Sequence, residues 1–195
     1  MTGVRVFLIR HGETAWSKEG RHTGRTDLPL LDQGRHQAEQ VGARLRPLSF
    51  AMVRTSPLLR ARETCAGAGL GEQAVVDDDL VEWDYGAYEG RRTVEIQAER
   101  PGWHLFSDGC PGGETFADVS ARVERVIARA TSVDGNVALF AHGHVLRTFA
   151  TRWLQLGPAL ATALTLDPAT VSILGRERDG RCLELWNDAG HLEAT

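Results

Sequence analysis

Two histidines in the sequence each follow a short apolar run and each precede a glycine. Residues 4–9 read VRVFLI and lead into Arg10 and His11, and residues 137–141 read VALFA and lead into His142. Ligands of open α/β sheets bind outside the carboxyl ends of the strands, so adjacent strands would bring both histidines into one crevice. Arginine is a forked donor that matches phosphate oxygens. The spacing therefore predicts a site for an anion such as phosphate.

Two further features favour an anionic ligand in that crevice. Gly143 opens a segment with helical periodicity, and the N-terminus of such a helix directs free N–H groups and a positive dipole end outward. Arg60 lies in SPLLRARET, residues 56–64, which follows a third apolar run. Its guanidinium and that of Arg10 together offer donors suited to phosphate oxygens.

Glu82 is the candidate proton donor. It lies in LVEWDYGAYEG, residues 80–90, among apolar and aromatic neighbours. Desolvation and repulsion from a bound dianion would both favour the protonated form of a carboxyl held there. We therefore expect Glu82 to donate a proton near neutral pH.

The elements that must position these residues alternate between strand and helix patterns. This order predicts one α/β domain over residues 1–195, a three-layer α/β/α sandwich with a mostly parallel central sheet. Asp32 and Ser56 are the expected N-caps of the first two helices. The predicted elements are strands at 4–9, 50–54 and 137–141, helices at 33–46, 57–66, 114–131 and 145–153, and a hairpin of 171–177 and 182–186 around Asp179-Gly180.

The composition restricts the class of protein. A chain of 195 residues with 42% hydrophobic and 25% charged residues is typical of one globular domain. The formal net charge of -4 gives no basis for a nucleic-acid partner. No apolar run approaches the roughly 20 residues of a membrane span, and the run at 4–9 is too short for a signal peptide. We therefore expect a cytoplasmic protein without membrane contact, and three widely spaced cysteines predict no disulfide framework.

Other polar residues have simpler interpretations. Lone histidines are more often structural than catalytic, and the acidic run at 77–79 has the character of a solvated loop. His144 could pair with His142 on a metal, but no carboxylate cluster at ligand spacing supports this, so we expect no metal site. The histidines expected to be structural are His22, His36, His104 and His191.

Four motifs in order resemble the histidine phosphatase superfamily, also called phosphoglycerate mutase-like proteins. They are R-H-G at 10–12, S-P-L-x-R-A-x-x-T at 56–64, E-x-x-x-G-x-x-E-G at 82–90 and A-H-G-H at 141–144. One three-residue match would be weak, but four at family spacing over nearly the whole chain are specific. The wider segments are most similar to broad-specificity acid phosphatases and fungal sedoheptulose-1,7-bisphosphatase.

The resemblance implies roles for the residues already singled out. His11 would attack phosphorus and form a phosphohistidine, and Glu82 would protonate the departing alkoxide and later accept a proton from water. Arg10, Arg60 and His142 would hold the phosphoryl oxygens, so that neither a metal nor a cofactor is needed.

The resemblance also assigns the walls of a substrate pocket. Thr23 and Gly24 would line it, as would Ser17 and Gly143. Relatives of the family often form dimers, so a homodimer is also admitted, although no apolar patch in the sequence can be assigned to a subunit contact.

Departures from the family's mutases favour hydrolysis of a small-molecule phosphate ester. Mutases of this superfamily usually carry asparagine where this chain has Ser17, and arginine where it has Trp83. They also carry a longer insert with paired basic residues, where this chain has only residues 91–113. Arg91 and Arg92 are partial substitutes at best. A phosphoglycerate mutase-type isomerase and a non-catalytic phosphate-binding module remain the alternatives.

Overall fold

A six-stranded sheet runs through the centre of the protein. The computed structural model describes residues 3–178 and 180–192. The strands lie in the order β3-β2-β4-β1-β5-β6; β1 to β4 are parallel, and β5 is antiparallel to both of its neighbours. The predicted, mostly parallel sheet is confirmed. The strands are β1 (Arg5–Arg10), β2 (Met52–Thr55), β3 (Val75–Val76), β4 (Asn136–Ala141), β5 (Val171–Glu177) and β6 (Gly180–Asp188).

Helices cover both faces of this sheet. The alternation of side chains along β1 directs Val6 and Leu8 to one face and Phe7 and Ile9 to the other. The first face packs against α6 and α7, and the second packs against α2 and α3, which gives the predicted three layers. The helices are α1 (Ala15–Glu19), α2 (Asp32–Leu45), α3 (Leu59–Gly67), α4 (Thr93–Glu99), α5 (Leu105–Asp108), α6 (Phe116–Ala130), α7 (Gly143–Trp153) and α8 (Pro158–Ala163).

β1 and β4 are adjacent parallel strands, as the crevice hypothesis requires. Arg10 lies opposite Ala141 at the ends of the two strands. The ladder continues one residue further, because the N–H of His11 donates to the carbonyl of Ala141 at 3.0 Å. The two motif histidines therefore leave the sheet side by side.

The turn after β1 packs directly on the start of α2. The Glu13 carbonyl accepts from the N–H of Leu31 at 3.0 Å, just before the helix begins. A Cβ on Gly12 would lie 2.4 Å from the Gly34 carbonyl oxygen, and a Cβ on Gly34 would lie 2.2 Å from the Glu13 carbonyl oxygen. Neither glycine can carry a side chain without moving backbone, so this contact fixes the height of His11 above the sheet.

The two predicted helix caps are wrong. Asp32 is the first residue of α2 and pairs with Arg35, because docking of Leu31 on Glu13 sets where that helix begins. Ser56 lies three residues before α3, where the carboxylate of Asp27 accepts from the N–H of Leu59 at 2.7 Å. A distant loop residue thus satisfies the helix donor that a local cap was expected to satisfy.

The acidic run at 77–79 is a solvated loop only at Asp78, which is exposed. Asp77 is 7% exposed, and its two carboxylate oxygens accept from Arg129 of α6 at 3.0 and 3.1 Å. Arg125 pairs with Asp79 alongside. The run therefore fastens the segment after β3 to α6.

Several elements have no counterpart in the sequence analysis. They are α1, β3, α4, α5 and α8, all of seven residues or fewer and too short for a clear apolar period. The C-terminal hairpin is present as β5 and β6, whereas Asp179 of the predicted turn lies outside the described residues. Among the residues that the structure describes, no helix has both the length and the apolar character to cross a bilayer.

We expect Gly34→Ala to destabilise the fold by about 1 to 3 kcal/mol, since the added methyl group must displace the backbone of Glu13. Urea unfolding monitored by tryptophan fluorescence measures this loss. Gly3→Ala is the matched control, because its Cβ would meet only the Arg176 side chain at 3.6 Å. Equal stability of the two variants would contradict the proposed contact.

Candidate active site

His11 presents one defined nitrogen to a cavity at the carboxyl end of the sheet. Its Nδ1 lies 2.8 Å from the carbonyl of Gly12, so Nδ1 carries the proton and donates it, and Nε2 keeps the free lone pair. Burial and the positive charges of Arg10 and Arg60 hold the pKa of His11 well below its usual value. The ring is therefore a neutral imidazole whose unprotonated nitrogen is available for attack.

Arg10 contributes a buried donor that lacks an acceptor. One terminal nitrogen of its guanidinium donates to the carbonyl of Leu166, which anchors the side chain. Among the described residues no acceptor bonds to its buried Nε. Buried polar groups are nearly always hydrogen-bonded, so an unpaired guanidinium N–H beside His11 is what an anion site requires.

His142 and Arg60 form a buried pair behind His11. The His142 ring lies 5.3 Å from the ring of His11, centroid to centroid. Its Nδ1 accepts from Nε of Arg60 at 3.1 Å, so its proton is on Nε2 and is donated to Ser56 Oγ at 2.7 Å. Burial and the charge of Arg60 hold the pKa of His142 well below its usual value. The two histidines and two arginines lie close together as predicted, but His142 and Arg60 do not line the cavity that His11 faces.

Arg60 also holds the loop that forms one wall of the cavity. Its terminal nitrogens donate to the carbonyls of Thr23, Gly24 and Thr26 at 2.9 to 3.1 Å. Glu89 closes the same loop from the other side by accepting from the N–H groups of Gly24 and Thr26 at 3.0 and 3.1 Å. The arginine thus ties loop, histidine and helix α3 together.

Glu82 lies at the N-terminus of α7 in an ionised state. Its carboxylate accepts from the backbone N–H groups of Trp83, His144 and Val145 at 2.9 to 3.0 Å. Burial raises the pKa of Glu82, but hydrogen bonding to His144 outweighs this effect and holds the pKa well below its usual value. The helix amides favour the ionised form in the unliganded protein, whereas protonation of Glu82 beside a bound dianion stays a prediction.

The cavity between these groups has a volume of about 280 Å³. Of the predicted pocket residues, Ser17, Thr23 and Gly143 line it, although the Ser17 hydroxyl is also part of the cap of α1. Gly24 does not line the cavity, and its N–H donates to Glu89 instead. The lining residues are Arg10, His11, Ser17, Gly20, Arg21, His22, Thr23, Glu82, Tyr85, Thr93, Gly143, His144, Arg147 and Leu166.

Eight of these lining residues have no place in the sequence-based site, and they include His22, Tyr85, His144 and Arg147. The ring of His22 lies 4.8 Å from that of Tyr85, and burial together with His144 lowers the pKa of His22 to about 4. His144 and Arg147 are three residues apart on α7, so they share the face that begins at Gly143. The helical spacing of His144 and Arg147 can be recognised in the sequence, whereas the contact between His22 and Tyr85 depends on the fold.

The described residues, 3–178 and 180–192, contain no cluster of potential metal ligands. Such a cluster would need three or more histidine, cysteine, aspartate or glutamate side chains placed to hold one ion. Independence from metal remains a prediction for solution experiments.

We expect the His11 imidazole to stay neutral, with its proton on Nδ1, throughout the range near pH 6.5 in which a free imidazole ionises. The direction follows from burial and from the two arginines, which both disfavour the imidazolium. Nitrogen-15 NMR of histidine-labelled protein reports both tautomer and charge. Arg10→Ala should raise the pKa of His11, and titration of His11 near pH 6.5 in the unsubstituted protein would contradict the structure.

Comparisons with known proteins agree with this geometry. An acid phosphatase of Mycobacterium tuberculosis is 40% identical over 191 residues, covering 96% of this chain and 94% of the relative. Sedoheptulose 1,7-bisphosphatase of Saccharomyces cerevisiae is 39% identical over 186 residues, covering 78% of this chain and 68% of the relative. A solved mycobacterial glucosyl-3-phosphoglycerate phosphatase in complex with VO3 matches with a TM-score of 0.86 and 28% identity, covering 95% of this chain and 99% of that chain.

The family assignment covers almost the whole chain. Residues 6–189 match the profile of the histidine phosphatase superfamily, branch 1. The four motifs on which the resemblance was based all lie within this range. This chain therefore belongs to branch 1 of the histidine phosphatase superfamily.

Proposed function

We propose that the protein is a metal-independent phosphomonoester hydrolase that acts on small phosphorylated metabolites through a phosphohistidine intermediate. The observation that carries this proposal is the pairing of a neutral His11, its Nε2 unprotonated, with the unpaired buried Nε of Arg10. A nucleophile and an anion donor side by side are the requirement for in-line attack on a phosphate ester.

His11 is the nucleophile in this mechanism. The lone pair of Nε2 forms a bond to phosphorus while the bond from phosphorus to the ester oxygen breaks. The Gly12 carbonyl keeps the Nδ1 proton in place, which stabilises the positive charge that develops on the ring.

Three cationic or polar groups receive the phosphoryl oxygens. Arg10 donates through its unpaired Nε, and the N-terminus of α7 at Gly143 faces the same cavity. His142, whose ring lies 5.3 Å from that of His11, would have to exchange its bond to Ser56 for one to a phosphoryl oxygen. Arg60 acts by its charge and by fixing His142, since its donors already hold the loop.

Glu82 transfers the protons. In the free protein it is ionised, and a bound dianion raises its pKa because two more negative charges lie beside it. The carboxyl then protonates the leaving alkoxide, and in the second step it accepts a proton from the water that hydrolyses the phosphohistidine.

Small polyol phosphates, including sugar phosphates, are the substrate class that we propose. A cavity of about 280 Å³ suits a compact molecule, and its outer wall carries hydrogen-bonding groups such as Thr23 and Thr93. The names of two relatives support this class, since both name a phosphate ester that contains a sugar. A panel of phosphorylated metabolites assayed for phosphate release tests this class.

A mutase-type isomerase is the alternative within the same fold. It would convert 3-phosphoglycerate to 2-phosphoglycerate in the presence of 2,3-bisphosphoglycerate, faster than it releases phosphate. A non-catalytic binding module would bind inorganic phosphate but would neither turn over an ester nor become phosphorylated. A cytoplasmic location, a homodimer and the absence of a nucleic-acid partner stay predictions from the sequence.

We expect Arg10→Lys to weaken the binding of inorganic phosphate by roughly 10- to 100-fold, since a lysine cannot supply the buried Nε donor. Isothermal titration calorimetry measures the change in Kd. Arg62→Lys is the matched control, because Arg62 is exposed on α3 and does not line the cavity. Unchanged phosphate affinity in Arg10→Lys would count against the assigned anion site.

We expect His11→Ala to lower phosphate release by about three orders of magnitude or more, because the variant lacks the unprotonated nitrogen that attacks phosphorus. The assay is release of inorganic phosphate from a sugar phosphate in excess chelator, with the exposed His36→Ala as control. The unsubstituted protein should also yield an acid-labile phosphoprotein after rapid quenching, and His11→Ala should not. Turnover by His11→Ala at the unsubstituted rate would refute the mechanism.

A further inference from the structure

His144 is an imidazole in the cavity to which the mechanism above gives no role. It lies in the first turn of α7, and its Nδ1 is 2.6 Å from the hydroxyl of Tyr85 and 3.8 Å from Oε2 of Glu82. The backbone N–H of His144 also donates to Glu82 at 3.0 Å. One residue therefore contacts the candidate proton carrier through its main chain and faces it with its side chain.

The groups around His144 fix its state in the unliganded protein. Burial and Glu82 raise the pKa of Tyr85 well above its usual value, so Tyr85 keeps its proton and donates it to Nδ1. Burial lowers the pKa of His144, as do the charges of Arg147 and Arg10, and these effects exceed the opposing effect of Glu82. His144 is therefore neutral, with its proton on Nε2 and its Nδ1 lone pair between two acidic groups.

The remaining neighbours add no negative charge. His22 approaches from the loop before α2 at 5.8 Å between ring centroids, and it is neutral because burial lowers its pKa to about 4. Phe106 of α5 lies at 5.4 Å and is apolar. Glu82 is thus the one carboxylate among the described groups that face this imidazole, and a bound phosphate dianion would be the second source of negative charge.

When a dianion binds, Glu82 must gain one proton before it can protonate the leaving alkoxide. The free site holds an ionised Glu82, whereas protonation of a leaving alkoxide needs a carboxyl that carries a proton. Two added negative charges favour the uptake of one proton by the pair formed by Glu82 and His144. Nδ1 of His144, 3.8 Å from Glu82 Oε2, can take this proton while the helix amides continue to hold the carboxylate.

We propose that His144 is a positioning residue that takes up this proton on Nδ1 and passes it to Oε2 of Glu82, so that the carboxyl is protonated when the ester bond breaks. This inference rests on the proposed phosphatase function. Tyr85 stabilises the resting state, because its hydroxyl can donate to Nδ1 only while Nδ1 is unprotonated.

Protons and electron pairs balance over the two steps. In the first, the Nδ1 proton moves to Glu82 and then to the ester oxygen, which keeps the electron pair of the broken bond to phosphorus, while Nε2 of His11 bonds to phosphorus. In the second, a water oxygen bonds to phosphorus, the pair of the bond between nitrogen and phosphorus returns to Nε2, and a water proton goes through Glu82 to His144. One ester and one water become one alcohol and one phosphate, and the borrowed proton is restored.

His144→Gln tests the relay, because glutamine can bond to Tyr85 but cannot carry the proton. The decisive readout is kcat/KM for two esters, glycerol 2-phosphate, whose alkoxide must be protonated, and p-nitrophenyl phosphate, whose phenolate leaves unaided. We expect a loss of roughly tenfold or more for the alkyl ester and of no more than about threefold for the aryl ester. His36→Gln, on the exposed face of α2, should change neither value. Equal losses for both esters, or no loss, would overturn the proposal.

Tyr85→Phe provides a second test of the proton relay, which remains available if His144→Gln does not fold. Loss of the hydroxyl destabilises neutral His144, so the alkaline limb of the pH profile of kcat/KM for the alkyl ester should move to higher pH. An unmoved limb would overturn the relay. Failure of the phosphatase function itself has a separate result: the unsubstituted protein would release no phosphate from either ester.

Discussion

The parallel pairing of β1 with β4 is the constraint on which the site depends. The register that places Arg10 opposite Ala141 continues through the bond from His11 to the Ala141 carbonyl, so two histidines distant in sequence leave the sheet at one height. A shift of one residue would turn His11 to the opposite face of the sheet. The apolar side chains on both faces of β1 prevent this shift, because each has a matching layer of helices. Packing on both faces of β1 thereby fixes the positions of the two histidines.

The charges in the site favour the binding of a dianion. Two arginines lie at the end of the sheet, and the imidazoles next to them are neutral because burial and those arginines disfavour a further positive charge. The helix amides hold Glu82 as a carboxylate, which offsets only one of the two arginine charges. A bound phosphate raises the pKa of Glu82, which links substrate binding to the acid that the proposed reaction requires.

Much of this arrangement could be predicted from the sequence. Apolar runs of strand length predict β1 and β4. Arg10, the two histidines and the glycines at the ends of these runs indicate an anion site, and the structure places these residues close together. The state of Glu82 could not be predicted, because it depends on amides of residues 144 and 145 that approach only in the folded chain. For the same reason the cap of α3 was assigned to Ser56 when the donor is satisfied by Asp27. Local periodicity predicts elements, whereas long-range hydrogen bonds decide charge and helix ends.

The bond from Arg10 to the Leu166 carbonyl has a consequence for the biosynthesis of the protein. The two residues are 156 positions apart, and the N–H of Ala169 closes the same end of β1 by bonding to the carbonyls of Arg10 and His11. During synthesis His11 emerges from the ribosome well before residues 166–169, after the other parallel strands. The site at the end of β1 therefore stays incomplete in the growing polypeptide until those residues have emerged and β5 can join the sheet.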